Sequence, residues 1–439
     1  MLPTTLGSAA LGDDGGMPRA TLVLAVLVGA LTVAALPGCT TTTDPTEQGA
    51  TTTTAGSSGG PTTAPDPDDP DADPPVADAV RILVLSSQPD RATGPDARIR
   101  VLPAGGGDPS NLRVSLGGQD VTGQLRSVDG GLEGVITGLV EGTNTVTATD
   151  GSLTATQRIR SWPTSGPMIS GPHLPLLACD TEAAGLGPAT DADCSAPTQT
   201  TWSYVTRSGT VADLPADAAP GSWPTDLATL DDGTPFVIRH EVGVRNRSIY
   251  EIAVVDPTGG RAETGAGPDD ISPDGTGPAA WNGTLVYRFG DGCGATYGQG
   301  RPNVAAVAPD LLAEGYAVAT ASFTSGAVLC NDVIAAETVM MVKERVIEEL
   351  GEPRATIGQG AGFGAALLHL VVQDYPGLVD GAVALDPQVD IVTAATGAAE
   401  CSLLEDYYAS VRGGSLTAEQ RMAIDGHASP STCQRWQAL

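Results

Sequence analysis

Basic residues are scarce in this sequence of 439 residues. Lysine and arginine number 22 against 52 aspartates and glutamates, and Lys343 is the only lysine. The formal net charge of −30 at pH 7 disfavours nucleic acid and anionic lipid headgroups as partners, because both are held by clusters of Lys and Arg. The charge balance says nothing about the fold.

The sequence also lacks the cysteine and histidine spacings that are typical of metal sites. It has no apolar run long enough to be a confident membrane span. No C-x-x-C pair and no Cys/His cluster with zinc spacing occurs, so we expect no metal site. Residues 17–39, MPRATLVLAVLVGALTVAALPGC, contain a short, alanine-rich apolar run. Its length favours the apolar region of a secretory signal over a membrane span.

That segment ends in Leu36-Pro37-Gly38-Cys39, which resembles the bacterial lipobox. The resemblance implies a signal peptide over residues 1–39, cut before Cys39, whose thiol then carries a lipid anchor. The protein would be extracytoplasmic and attached to the cell membrane through that anchor. An ordinary signal peptide with an incidental cysteine is the alternative. Because residues 1–16 contain two aspartates, Met17 is a second candidate for the true start.

Three regions lie between this N-terminal segment and residue 201. Residues 40–79 are rich in Thr, Pro, Gly and Asp and predict a disordered linker, because they cannot form a core. Short alternating runs separated by turn residues predict an immunoglobulin-like β-sandwich over 80–162. Residues 163–200 are irregular and contain Cys179 and Cys194, which predicts a disulfide-containing connector.

The chain contains seven cysteines, and setting aside Cys39 leaves an even number. An even count in an exported protein predicts disulfides. Nearness in sequence favours the pairs 179–194, 293–330 and 401–433, although six cysteines allow fifteen pairings. The six are Cys179, Cys194, Cys293, Cys330, Cys401 and Cys433.

Residues 201–439 alternate between strand and helix patterns, which predicts an α/β domain with a parallel sheet. Residues 235–246 and 248–257 predict a hairpin, and 283–290, 316–322 and 381–387 predict further strands. Helices are expected near 304–314, over 332–350 and up to about residue 375.

A glycine cluster lies between the strand that follows Arg354 and the apolar helix that ends near Tyr375. Strand, tight turn and helix resemble the nucleophile elbow of α/β-hydrolases, G-x-S-x-G. Here Gly360 and Gly364 flank Gly362, which stands at the serine position. Since glycine has no side chain to attack a carbonyl, the scaffold of an esterase is predicted without its nucleophile.

A dinucleotide-binding turn is the second interpretation of that cluster. Gly360, Gly362 and Ala365 also match G-x-G-x-x-A, with Asp386 as a possible ribose acceptor. This fingerprint usually opens its domain, whereas two strand–helix units precede it here. We therefore expect no cofactor.

Backbone N–H groups near the elbow are candidate oxyanion donors. Gly292, Cys293 and Gly294 follow the strand 283–290, and Phe363 follows the nucleophile position. In α/β-hydrolases both places supply N–H groups to the developing oxyanion. A tight loop closed by a Cys293–Cys330 disulfide is the compatible structural alternative.

Five blocks of sequence are similar to a family of secreted bacterial proteins of uncharacterised function, whose core resembles that of tannases and polyester depolymerases. The similarity extends from about residue 80 to the end and implies hydrolysis of an extracellular ester polymer or lipid-like substrate. The family's serine lines up with Gly362 and its usual next glycine with Phe363. The blocks are GPHLPLLACDTEAAGLGPATDADC, VGVRNRSIYEIAVVDP, GDGCGATYGQG, CNDVIAAETVMMVKERVIEELGEPRATIG and DYPGLVDG.

The rest of a catalytic triad is weakly represented. In the order Ser…Asp…His, the acid and histidine come from later strands, and the residues after Asp386 look helical. Family members continue past the end of this chain, so we expect a C-terminally truncated sheet. Asp386 is a weak candidate acid and His427 a weak candidate base. We expect a catalytically inactive member, or alternatively an adhesion or ligand-capture protein that uses the cleft and the sandwich loops.

Overall fold

The computed structural model describes residues 78–260, 280–387 and 390–437, which lie within one compact unit. The expected signal peptide, the lipidation site Cys39 and the linker up to residue 77 lie outside the described residues. Their assignments stay predictions.

Residues 81–162 form two sheets around one core, and we call them the two-sheet domain. One sheet has the strand order β1-β3-β7-β6 and the other β2-β9-β8-β4-β5. Fully buried side chains between them include Ile99, Ile136 and Ile159. The immunoglobulin-like subclass stays a prediction. The strands are β1 (Arg81–Val84), β2 (Ala92–Thr93), β3 (Asp96–Leu102), β4 (Arg113–Leu116), β5 (Gln119–Asp120), β6 (Arg126–Val128), β7 (Gly131–Thr137), β8 (Gly142–Thr149) and β9 (Thr154–Trp162).

Residues 199–437, which we call the α/β domain, contain a mixed sheet of eight strands with helices. The strand order is β11-β10-β12-β13-β15-β14-β16-β17. The strands are β10 (Gln199–Val205), β11 (Val211–Asp213), β12 (Val237–Arg245), β13 (Ser248–Val255), β14 (Thr284–Gly290), β15 (Ala317–Ser325), β16 (Ala355–Ala361) and β17 (Gly381–Leu385). The helices are α1 (Pro309–Ala313), α2 (Asp332–Leu350), α3 (Phe363–Asp374), α4 (Ile391–Tyr408), α5 (Ala418–Asp425) and α6 (Thr432–Gln437). Short 3-10 helices span Ala104–Gly106, Pro109–Asn111, Thr122–Gln124 and Gly413–Ser415.

The sheet is only partly parallel, which corrects the expectation of a parallel sheet. Strands β15, β14, β16 and β17 run parallel, whereas β12 and β13 form the antiparallel hairpin that the sequence predicts. Asn246 and Arg247 connect them, both with positive φ (52° and 60°). Such a two-residue turn joins antiparallel strands only.

Helix α2 begins and ends where its sequence predicts. The Asn331 side chain accepts a hydrogen bond from the N–H of Ile334, and Gly351 at φ 101° ends the helix. Its buried face includes Val339, Val342 and Val346, which pack in the main core of the α/β domain. This helix also contacts the two-sheet domain, since the Thr93 N–H donates to Glu344 Oε1 at 2.9 Å.

The chain after β17 is helical, as expected. Strand β17 is the last strand of its sheet, and Val383 and Leu385 are exposed along it. The structure contains the predicted disulfides Cys179–Cys194, Cys293–Cys330 and Cys401–Cys433. Within the described residues, no helix is both long and apolar enough to cross a bilayer.

Candidate functional site

The elbow (residues 360–364) is a sharp turn between β16 and α3. Gly362 has φ 57° and ψ −124°, a backbone conformation that side chains with a Cβ rarely adopt. Its N–H donates to the carbonyl of Leu385 at 3.0 Å, and its carbonyl accepts from the N–H of Ala366 at 3.2 Å. The turn is therefore fixed on both sides by backbone hydrogen bonds.

The flanking glycines allow strand and helix to pack closely. A Cβ on Gly360 would lie 2.6 Å from the carbonyl oxygen of Gly364. A Cβ on Gly364 would lie 2.7 Å from the carbonyl oxygen of Gly290. Both are closer than van der Waals contact allows, so α3 can approach β14 and β16 only if these positions are glycine.

The carboxylate of Asp291 fills the space beside Gly362. Asp291 directly follows β14, which neighbours β16 in the sheet. Its Oδ1 accepts hydrogen bonds from the N–H of Gly292 at 2.7 Å and of Phe363 at 2.8 Å. A Cβ on residue 362 would lie 2.5 Å from the same oxygen. The carboxylate thus occupies both the N–H donors and the space that a nucleophile side chain would need.

The loop that carries Asp291 is tightly held. The Asp291 carbonyl accepts from the N–H of Ala327 and from the Asn303 side-chain amide, each at 2.9 Å. Gly292 has φ 96°, and a Cβ there would lie 2.8 Å from Cα of Ala327. The Cys293–Cys330 disulfide closes the same loop. These contacts fix the backbone from which the Asp291 side chain projects.

The candidate oxyanion donors differ in what they do. The N–H groups of Gly292 and Phe363 converge on one oxygen, as donors for an anion must. The N–H of Gly294 donates to the carbonyl of Gly326 at 2.6 Å, so in this structure it does not join the two donors that meet Asp291. Cys293 is disulfide-bonded and therefore holds no free thiol.

The candidate acid and base lie in different surroundings. Asp386 follows β17 with a positive φ of 45°, next to Leu385, whose carbonyl accepts from Gly362. His427 Nε2 lies 3.7 Å from Cys401 Sγ, and the His427 ring centroid lies 5.5 Å from that of Trp436, with the ring planes tilted by 55°. His369 is exposed on α3. The backbone of Asp386 is thus adjacent to the elbow, whereas His427 contacts side chains of the C-terminal helices.

One cluster among the described residues has the donor types of a metal site, namely Cys401, His427 and Cys433. Both sulfur atoms belong to one disulfide, so neither offers the thiolate that a metal ion binds. In this oxidised state the cluster does not have the chemistry of a metal site.

Sequence reasoning missed the role of Asp291. It lies at the carboxyl end of a strand next to a glycine, where ligands meet parallel sheets. The feature of the sequence that could have indicated Asp291 as a site residue is its position directly before Gly292. The pairing with Phe363 spans 72 residues and could not be read from local pattern.

Two solved structures illustrate distant similarities. Tannin acyl hydrolase from Aspergillus niger is 12% identical with a TM-score of 0.29, and the match covers 51% of this chain and 39% of that chain. Oligopeptidase B from Leishmania major is 13% identical with a TM-score of 0.22, and the match covers 72% of this chain and 50% of that chain. The chain therefore spans half or less of either protein. No curated protein matches it.

The sequence profile of a tannase-like family of unknown function matches residues 82–439. The match covers both the two-sheet domain and the α/β domain with its elbow. The chain belongs to this tannase-like family of unknown function.

Proposed function

We propose that this chain is a hydrolase-like protein that does not catalyse acyl transfer. The observation that carries the proposal is the position of the Asp291 carboxylate. One of its oxygens accepts from both Gly292 and Phe363 and lies 2.5 Å from where Cβ of residue 362 would be. A negative charge there opposes an oxyanion, which needs the same two donors.

The magnitude of the loss supports inactivity. Removing a triad serine costs roughly 10⁶-fold in kcat, and the oxyanion hole with substrate binding retains about 10³ to 10⁴ over water. Because the Asp291 carboxylate accepts from the two donors, it competes with an oxyanion and lowers this residual catalysis further. Asp386 or His427 alone cannot compensate, since triad members act as a unit.

We further propose that the protein is extracytoplasmic and held at the cell membrane by a lipid on Cys39. The lipobox-like Leu36-Pro37-Gly38-Cys39 supports the anchor, and the three disulfides support an oxidising compartment. Metabolic labelling with a palmitate analogue tests this, with Cys39→Ala as the control that should lose the label.

Hydrolysis of p-nitrophenyl butyrate tests the inactivity. We expect the wild-type chain, Gly362→Ala and Asp291→Asn to give the same background rate. The Asp291→Asn variant decides whether the carboxylate itself acts as a nucleophile. A wild-type rate well above background that falls in Asp291→Asn would show that the elbow has kept an activity with a different nucleophile.

A further inference from the structure

A cleft of about 900 Å³ lies where the two-sheet domain meets the α/β domain. Its wall combines the end of β1 and the residues after it, Ile169 of the connector, helix α2 with the loop after it, and the segment 374–380. Its volume is in the range of small-molecule sites, which often lie at domain junctions. The cleft is separate from the elbow, none of whose residues line it.

Lys343 lines this cleft and is the only lysine of the chain. Its Nζ donates to the carbonyl of Leu378 at 2.9 Å. An ammonium has three donors, and Lys343 forms no ion pair within 4.0 Å with any residue that the structure describes. Burial lowers the pKa of Lys343, whereas the negative charges of Asp380 and Glu352 raise it by a smaller amount. The cation therefore has donors left for a negatively charged partner.

The charge balance of the cleft differs from that of the chain. Three cationic side chains line it, against three acidic ones, whereas the whole chain has 22 basic and 52 acidic residues. An anion that approaches this protein meets less repulsion here than over most of the surface. The six side chains are those of Arg91, Lys343, Arg354, Glu352, Asp374 and Asp380.

Apolar side chains flank Lys343. Met340 and Ile347 lie one turn before and one turn after it on α2, and Leu378 and Tyr375 face the cleft from the loop before β17. The hydroxyl of Ser87, in the same wall, is buried without a hydrogen-bond partner among the described residues. Such a group is costly unless a partner arrives.

We propose that this cleft binds a small carboxylate with an aryl or alkyl body. The ammonium of Lys343 pairs with the carboxylate, and Ile347, Leu378 and Tyr375 pack against the apolar body. Nothing at the elbow is needed for this binding, so the proposal stands whether or not the chain hydrolyses esters.

Selective ¹³C-lysine labelling makes the test specific, because the chain has a single lysine. The Cε signal reports on the neighbouring ammonium, and the label leaves its three N–H donors unchanged. Titration with benzoate or hexanoate should shift the Lys343 signal saturably, while benzamide and hexanamide should not. Equal responses to acid and amide, or no saturable response to either acid, would overturn the proposal.

Variants separate ligand binding from a purely structural bond to Leu378. Calorimetry should show Lys343→Met binding benzoate about tenfold or more weakly, since a charged hydrogen bond is lost. Lys343→Arg, which keeps the charge, should retain most of the affinity. Asp374→Asn, which removes a negative charge from the rim, should bind a few-fold more tightly. Unchanged affinity in folded Lys343→Met would show that the lysine only holds the loop.

Discussion

Asp291 and Gly362 depend on each other sterically. The carboxylate lies where a side chain at 362 would project, and its two backbone donors hold it there. Glycine at 362 also tolerates φ 57° and ψ −124°, which cost of order 1–3 kcal/mol for other residues. Glycine at 362 therefore avoids backbone strain and leaves room for the carboxylate.

The substitution Gly362→Ala should destabilise the fold by about 1–3 kcal/mol, mainly from backbone strain, with a smaller contribution from turning the exposed Asp291 carboxylate away from the new Cβ. The comparison variant is Gly426→Ala at φ 72° and ψ 15°, in the left-handed helical region, where a Cβ meets nothing within 4 Å. Gly426→Ala should lower the free energy of unfolding by only about 1 kcal/mol, from backbone strain alone. Urea denaturation of both variants measures the difference.

Adding Asp291→Ala to Gly362→Ala separates the two contributions. Since the residues are in contact, we expect the double variant to be less destabilised than the sum of the single ones. Strict additivity in this cycle would show that the carboxylate does not occupy the space beside residue 362.

At the residue scale, the sequence predicted the elbow but not the Asp291 carboxylate that lies beside it. Gly360, Gly362 and Gly364 form a local pattern, and local patterns are what sequence motifs record. The carboxylate of Asp291 reaches them only because β14 and β16 pair in the sheet. Tertiary pairing of this kind has no local signature.

At the scale of elements, α2 shows a titratable contact with the two-sheet domain. Burial raises the pKa of Glu344 to about 8, against the hydrogen bonds from Thr93. Burial also raises the pKa of Glu348, with the charges of Glu344 and Asp96 adding to the effect. Arg245 from β12 faces both carboxyls and acts in the opposite direction. The contact therefore favours protonated carboxyl groups.

Stability should fall as pH rises between about 4.5 and about 8. Unfolded Glu344 loses its proton near the lower value, whereas the folded form keeps it until the upper one, so the unfolded state binds fewer protons in between. Glu344→Gln should flatten this pH dependence. Thermal unfolding across the range measures it, and an unchanged slope in Glu344→Gln would contradict the assignment.

Helices α1 and α2 show how far the ends of a helix can be predicted from the sequence. The bounds of α2 follow from Asn331 and Gly351, which satisfy its terminal groups locally. Helix α1 was expected near 304–314 but starts at Pro309. Proline disfavours helical backbone at the residue before it, so the apolar residues 304–308 stay outside the helix.

At the scale of the whole molecule, Arg98 connects the two domains. Its Nε donates to Glu133 Oε1 at 2.9 Å, and its NH1 lies 3.4 Å and 3.3 Å from the carbonyls of Ile347 and Glu348. The pair is almost completely buried. The guanidinium thus meets the negative end of the α2 dipole while it neutralises a carboxylate of the two-sheet domain.

Arg98→Met should lower the free energy of unfolding by about 2–3 kcal/mol, because the buried Glu133 loses one charged hydrogen bond and keeps only its partly exposed partner Arg100. Since the contact to α2 is lost as well, calorimetry should resolve separate transitions for the two domains. Arg100→Met is the control: Arg100 also pairs with Glu133, at 2.8 Å, but is partly exposed. It should cost less and keep a single transition, and the same behaviour in Arg98→Met would contradict the coupling.

The order of the domains could be predicted from sequence, but their contact could not. Alternating short runs and strand–helix alternation identify the two regions separately. Arg98, Glu344 and the cleft around Lys343 depend on how the domains pack, and the cleft is built from four separated segments. No periodicity within one segment encodes that packing.

Acylation of the purified protein tests the central claim most directly. Stopped-flow mixing with p-nitrophenyl acetate reports a burst from acylation, and mass spectrometry of the intact protein and of its proteolytic peptides shows whether and where an acetyl group is attached. We predict neither a burst of p-nitrophenol nor an acetyl group within residues 290–294 or 360–364, because Gly362 offers no nucleophile and Asp291 occupies the two N–H donors. A stoichiometric burst with an acetyl adduct in either segment would contradict the account.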